Sequence, residues 1–341
     1  YVNKIPVYNS SHLFGFFTSF SPDIVKDFSL YKSNLPAHYG GRLASFFDIS
    51  TRQGNKQEYT ARGGISPVTG HLAAEGPIRK NKSAFILSAR STYSDWILGR
   101  LEDPDLRNSD ARFNDFSGGM TFEPSERTLV KIFGTLSRDR FSLGSSNDYA
   151  YSNSGVSLDL RHRFSEQMTA EGALVFGRYD FSTTHQNIPS ESYSHSYCIN
   201  HYEMKADMTW LSLGNHRLTY GGNLIYYHLD RGTVEPYGPN SLRMPVKLGV
   251  ENGLESGVYL ADEITLMPRL TLYAGLRYSL FFSLGPDQVM IYDEGQPVRE
   301  GNIADTLSFR TAGIVKRYSG PEPRISLNYM PGKNNSVKVS Y

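Results

Sequence analysis

The chain has 341 residues, with 35 Lys and Arg against 34 Asp and Glu, and 39% hydrophobic residues at a mean hydropathy of -0.41. A net charge of +1 supplies no field for nucleic acid or an acidic substrate, and the single cysteine, Cys198, excludes an internal disulfide and any multi-cysteine metal site. The longest apolar stretch is nowhere near a transmembrane helix, but low mean hydropathy leaves a membrane barrel open, because a spanning strand needs only about 5 lipid-facing apolar side chains at alternate positions.

The first residues, Tyr1 to Pro6, have neither the basic nor the apolar region of a secretory signal, so the chain is expected to be either cytosolic or an internal piece of a longer protein. An aromatic stretch follows with Tyr8, His12, Phe14, Phe16, Phe17 and Phe20, which either contacts a ligand or packs against a wall. Ser21-Pro22-Asp23 combines a capping serine, a proline at the first helical position and an early acid, and predicts a short helix. Segments 27–32 and 43–51 read as strands, with Tyr39-Gly40-Gly41 as the turn between them. Residues 1–55 therefore read as a small α/β unit.

From about residue 57 the pattern changes to alternating runs, starting near 57, 70, 83, 112, 127, 151, 167, 196, 216, 255, 269, 322 and 335. In 156–164, Val156, Leu158, Leu160 and Phe164 oppose Ser157, Asp159, Arg161 and Arg163. In 269–282, Leu270, Leu272, Ala274, Leu276, Tyr278, Leu280 and Phe282 take every even position, with Arg277 on the other face. Period two places these sets on opposite faces of a strand. Short connections, such as 165–167, 213–216 and 267–269, alternate with long ones near 94–110, 139–150, 183–194, 231–253 and 283–320. A sandwich explains the alternation but not the loop asymmetry, which belongs to antiparallel outer-membrane barrels. Runs of roughly 10 to 16 residues also exceed the globular norm of about 5 to 6. The fold expected is an all-β membrane protein, an antiparallel transmembrane β-barrel spanning 56–341, preceded by the unit at 1–55.

Asp159, Glu171, Glu203, Asp207 and Glu263 are expected on the lumen face, balancing Arg161, Arg163, Arg178, Lys205 and Arg277 rather than doing acid/base chemistry. Asp262 falls on the oily parity of its strand and is expected near a membrane boundary or a bulge. His185, His195 and His201 match no metal-ligand spacing. No nucleophile triad, phosphate loop or dinucleotide motif stands out, so no catalysis, cofactor or metal is expected.

The stretch from Asp27 to Thr51, DFSLYKSNLPAHYGGRLASFFDIST, resembles the closing segment of the plug domain in TonB-dependent outer-membrane receptors. Val258-Tyr-Leu-Ala-Asp-Glu263 with Leu270 to Tyr278 is similar to a barrel hairpin of the same family, and the stretches at 5–17 and 74–80 look most like receptors of the Bacteroidetes type. Asn3-Lys4 stands where that family commonly has Asp-Gly, and Ser33 where it commonly has Gly. The resemblance implies the C-terminal part of a plug at 1–55 and about 13 of roughly 22 barrel strands at 56–341. It further implies active transport of a siderophore, vitamin, glycan or peptide across the outer membrane of a Gram-negative bacterium. Expected partners are TonB through a preceding segment, the lipid bilayer, the nutrient and possible surface lipoprotein. The ligand would meet Tyr8, His12, Phe14, Phe16 and Phe17 and the long loops. A surface receptor or adhesin, or a passive porin, is the alternative.

Overall fold

The computed structural model describes the chain apart from residues 33–34, 42–44, 94, 101, 104–106, 108, 144–146, 213 and 333–334, and the side chains of residues 14, 95, 98 and 143. The first 55 residues hold two small antiparallel pairs. β1 (Ser11–His12) pairs with β2 (Phe17–Thr18), and β3 (Val25–Tyr31) with β4 (Phe46–Thr51). The helix expected after Ser21 is a single 3-10 turn, Pro22–Ile24, that runs straight into β3. Ser21 makes no side-chain cap; its hydroxyl accepts instead from Ser88 Oγ at 2.7 Å. With Val25 β-branched and already extended, the strand pairing outweighs the helix-start signal. A turn donating Tyr39 N–H to Pro36 O at 3.0 Å joins β3 to β4, slightly earlier than the glycines suggest.

Asn3 and Lys4 both adopt left-handed backbone, φ 45° and 67°, in a turn closed by reciprocal bonds between Val2 and Ile5. The geometry that glycine would supply is thus kept by Lys4, whose Nζ lies 2.6 Å from Asp159 Oδ1. Ser33 lies outside the described residues.

The remaining chain builds one large antiparallel sheet. Its strands are β5 (Thr60–Ile65), β6 (Thr69–Arg79), β7 (Ser83–Thr92), β8 (Asp110–Ser125), β9 (Thr128–Leu143), β10 (Asn147–Arg163), β11 (Met168–His185), β12 (Tyr193–Ser212) and β13 (His216–Asp230). After β13, the short strand β14 (Thr233–Pro236) pairs with β12 and carries β15 (Val246–Lys247) on its other side, before β16 (Val250–Met267) and β17 (Leu270–Leu284) continue the sheet. A separate hairpin, β18 (Asp287–Tyr292) with β19 (Ile303–Phe309), fills the next connection, and β20 (Ile314–Gly332) and β21 (Asn335–Ser340) end it. The path from β5 to β21 runs through thirteen strands, each paired with its neighbour in the path.

Alternation sorts the two faces as the sequence suggests. Leu87, Phe116, Met120, Val156, Leu158, Leu160, Leu174, Met204, Leu260 and Leu276 are exposed on one side. The opposite, inner face buries Ile86, Phe133, Ala173 and Val175 against Val2, Ile5, Ile24 and Ile49 of the N-terminal unit in one apolar cluster. Among the described residues no helix is long and apolar enough to cross a membrane, which leaves strands untouched by that test.

Two expectations need correction. The long connection placed at 139–150 is mostly strand, since β9 runs to Leu143 and β10 starts at Asn147. Alternation fades there because the outward residues turn from Leu136 to Arg138 and Arg140, while the ladder itself continues. Arg178 is not on the inner face: it shares the outward parity of Leu174 and Phe176 on β11, and its guanidinium pairs with Asp180 at 2.6 Å. Asp262 sits three residues from the irregularity between Thr265 and Met267 and accepts from His216 Nδ1 at 2.7 Å, as its oily parity required.

Candidate functional site

The first 18 residues lie along the inner face and climb toward the long connections. Lys4 meets Asp159 near the short-turn end of β10. Further up the same strand, the Asn153 amide accepts from Tyr8 N–H at 3.0 Å and Asn9 N–H at 3.3 Å and donates to Asn9 O at 3.1 Å. The tyrosine ring rests against Tyr179, centroids 5.8 Å apart. The β1–β2 hairpin then reaches the upper ends of β8 and β9, where His12 is fixed.

His12 is 0% exposed. Its Nδ1 lies 2.6 Å from Asp139 Oδ2, its Nε2 lies 2.9 Å from Asp115 Oδ1, and its ring stacks on Phe113 at 4.1 Å. Burial by itself pulls the imidazole pKa down, but hydrogen bonding and charge from Asp115 and Asp139 outweigh it and raise it above the ordinary value. The hydrogen bond runs between Nδ1 and Asp139, while Nε2 faces Asp115 as an ion pair without hydrogen-bond geometry, an arrangement that suits an imidazolium between two carboxylates. Arg90 completes the cluster, 2.5 Å from Asp115 Oδ2, and also donates to Thr18 O across the hairpin.

A second clamp holds residues 35–41. Arg277, 0% exposed, donates to Asn223 Oδ1 at 2.6 Å, Ser279 Oγ at 2.9 Å and Ala37 O at 3.4 Å. Arg324 donates to Leu35 O, Pro36 O and Tyr39 O at 3.1, 2.5 and 2.7 Å. Tyr273 OH accepts from Ala37 N–H at 2.6 Å. Gly40 is required here, because a Cβ would run into the Arg277 guanidinium. Beside this clamp, burial and then the charges of Lys205, Arg324, Arg277 and Arg217 push His38 down to about 3.

The expected site residues therefore divide. Phe16 is 84% exposed at the hairpin tip, and Phe17 packs on Phe113 at 5.3 Å. Tyr8 flanks the climb, His12 is locked in the wall, and the Phe14 side chain lies outside the described residues. Sequence reading missed Asp115, Asp139, Arg90, Asn153 and Arg324. Their inward parity was available, but their partners stand 127 to 289 residues away in cases such as His12 with Asp139 and Leu35 with Arg324. The inward acids pair locally with basic neighbours: Arg161 with Glu171 at 2.7 Å, His201 with Glu203 at 3.1 Å and Lys205 with Asp207 at 3.6 Å.

The family described as TonB dependent receptor-like, beta-barrel matches residues 89–341. The chain belongs to this family. Such receptors are transporters, not enzymes, and the family lies in the Gram-negative outer membrane. No curated protein sequence matches the chain. The receptor barrel is similar in fold to the ferric citrate transporter FecA in its unliganded form, with TM-score 0.70 and 12% identity over 97% of this chain and 51% of that one. It is also similar to the copper transporter OprC, at TM-score 0.67 and 12% identity over 95% and 51%. BauA, the ferric preacinetobactin receptor of Acinetobacter baumannii, follows at TM-score 0.66 and 12% identity over 99% and 55%. The chain thus spans about half the length of these structures.

Proposed function

We propose that the chain is part of a TonB-dependent transporter that imports a scarce nutrient of the siderophore, vitamin, glycan or peptide class across the outer membrane. Residues 1–55 are the C-terminal part of a plug and residues 56–341 part of the barrel wall, in a receptor of the Bacteroidetes type. The observation that carries this reading is the occupied inner face: a shared apolar cluster and two buried polar clamps tie residues 1–51 to strands from β7 to β20. A passive porin has no use for such an insert.

The ligand meets the hairpin tip at Phe16 and Phe17, with Tyr8, His12 and Phe14 behind it, and the long connections above. TonB acts through a segment preceding this chain and displaces the plug; a surface lipoprotein would serve glycan or peptide import. Deleting TonB in the native host is expected to leave ligand binding at the cell surface intact and abolish accumulation. Unchanged accumulation without TonB sinks the reading. A second reading, a surface adhesin, draws on the β18–β19 connection, which exposes Met290, Ile291, Val298 and Leu307. It predicts a cell-attachment defect with intact uptake when that hairpin is removed.

A further inference from the structure

The inner wall changes character with height. Near the short turns of β10 to β12 its inward side chains are charged, with Asp159, Arg161, Glu171 and Lys205 among them. Near the long connections the same strands turn aromatic inward. Tyr151, Phe181 and Tyr197 face one another along one row of the register, and Phe141 stands opposite Tyr149 in the row above. The Tyr197 ring lies 5.1 Å from Phe181 and 6.1 Å from Tyr179 between centroids, and Tyr8 rests on the same Tyr179. Higher still, His185 stacks on Tyr193 at 4.6 Å and meets Tyr149 edge-on at 6.2 Å. Tyr149, Phe181, Tyr193 and Tyr197 are each only partly buried, so part of every ring stays open.

Free charge is missing from this upper wall. From Phe113 on β8 to Ile199 on β12, the inward positions at this level carry no lysine or arginine among the described residues. The carboxylate among them, Asp139, is held by His12. Two cations at the rim are committed as well. Arg231 lies 3.0 Å from Glu251, and Arg243 covers the Tyr193 ring at 4.5 Å while donating to Glu191 O at 2.7 Å. Recognition of an anion needs guanidinium or ammonium groups free to meet it. This wall offers ring faces and phenolic hydroxyls instead.

We propose that the upper inner wall from β9 to β12 binds an uncharged oligosaccharide, with sugar rings lying on the faces of Tyr149, Phe181 and Tyr197. The electron-rich faces attract the C–H side of a sugar ring, and the tyrosine hydroxyls exchange hydrogen bonds with those of the sugar. A peptide brings charged termini that find no free partner here, and an anionic ferric chelate brings negative charge with the same result. The assignment rests on the transport reading above and selects the glycan among its ligand classes.

The test uses the full-length receptor in a sugar-free polyoxyethylene detergent. It is titrated calorimetrically with neutral fragments of α-glucan, β-glucan, xylan, mannan and fructan, and with ferric citrate, a ferric catecholate, cobalamin and mixed tripeptides. A glycan fragment is expected to bind, with its affinity constant within about twofold between low and high salt. Tyr149→Ala with Tyr197→Ala is expected to weaken that binding about thirtyfold, whereas Tyr149→Phe with Tyr197→Phe, which keeps both rings, stays within about threefold. Should the alanine pair misfold, the panel and the salt series on the parent chain decide. Binding of a ferric chelate, cobalamin or peptide in place of a glycan, binding by no fragment, or a folded alanine pair with unchanged affinity would each overturn the assignment. Any of these with TonB-dependent uptake intact removes the ligand class alone, whereas glycan binding with TonB-independent accumulation removes the transport reading alone.

Discussion

His12 and His38 respond to pH in opposite directions. The His12 pKa is raised in the folded chain, so its contribution is fully present below the ordinary value of 6.5 and is lost as pH rises through the folded value. His38 is pushed from 6.5 to about 3, so its contribution is present above 6.5 and is lost as pH falls toward 3. Hydrogen exchange of the full-length receptor, corrected for intrinsic rates, is expected to show residues 11–18 loosening as pH rises above 6.5 and residues 35–41 loosening as pH falls below 6.5 toward 3. His12→Gln is expected to remove the first trend. Gly40→Ala is expected to cost about 1–3 kcal/mol by pressing on Arg277, and Arg277→Ala about 3–5 kcal/mol by leaving its buried partners unmatched; thermal unfolding with exchange at 35–41 checks both. The face of Arg277 was legible from period two, but that of Arg178 was not, because it stands on the outer parity yet above the lipid, where polar side chains face out.

At the scale of elements, the hairpin of β1 and β2 and the strands around it show where pattern reading stops. Alternation located the strands as far as lipid touches them, and it failed for the upper turn of β9 and β10, where Arg138, Arg140, Ala150 and Ser152 replace apolar residues outside. It also misjudged Ser21-Pro22-Asp23, since a local capping signal yields to a ladder with β4 that only the fold supplies. The hairpin itself has no periodic signature; its aromatic content marked it, and its anchors on β8 and β9 are far away in sequence. Because Phe16 is exposed at the tip while Phe17 packs at a tilt against Phe113, Phe16→Ala is expected to lower ligand affinity roughly tenfold, about 1.4 kcal/mol, with unchanged melting. Phe17→Ala is expected to lower the melting temperature as well. Ligand titration beside calorimetry separates them.

For the whole molecule, thirteen strands, the two faces and most of the loop asymmetry were readable from alternation, because the lipid contact that creates the pattern is local to each strand. The packing of residues 1–51 on the inner face was not, since it depends on contacts between ends of the chain. The sheet path runs from β5 to β21 and pairs each of these on one side only. Residues 1–341 expressed alone are accordingly expected to aggregate through those edges, as sedimentation after refolding into detergent micelles will report. The central claim is that the N-terminal unit occupies the barrel and bars passive flow. Full-length receptor in a planar lipid bilayer is expected to pass no steady current, and the same receptor with the segment through residue 55 deleted is expected to conduct as an open pore. Steady conductance by the intact receptor, or an unchanged trace after the deletion, would contradict the account.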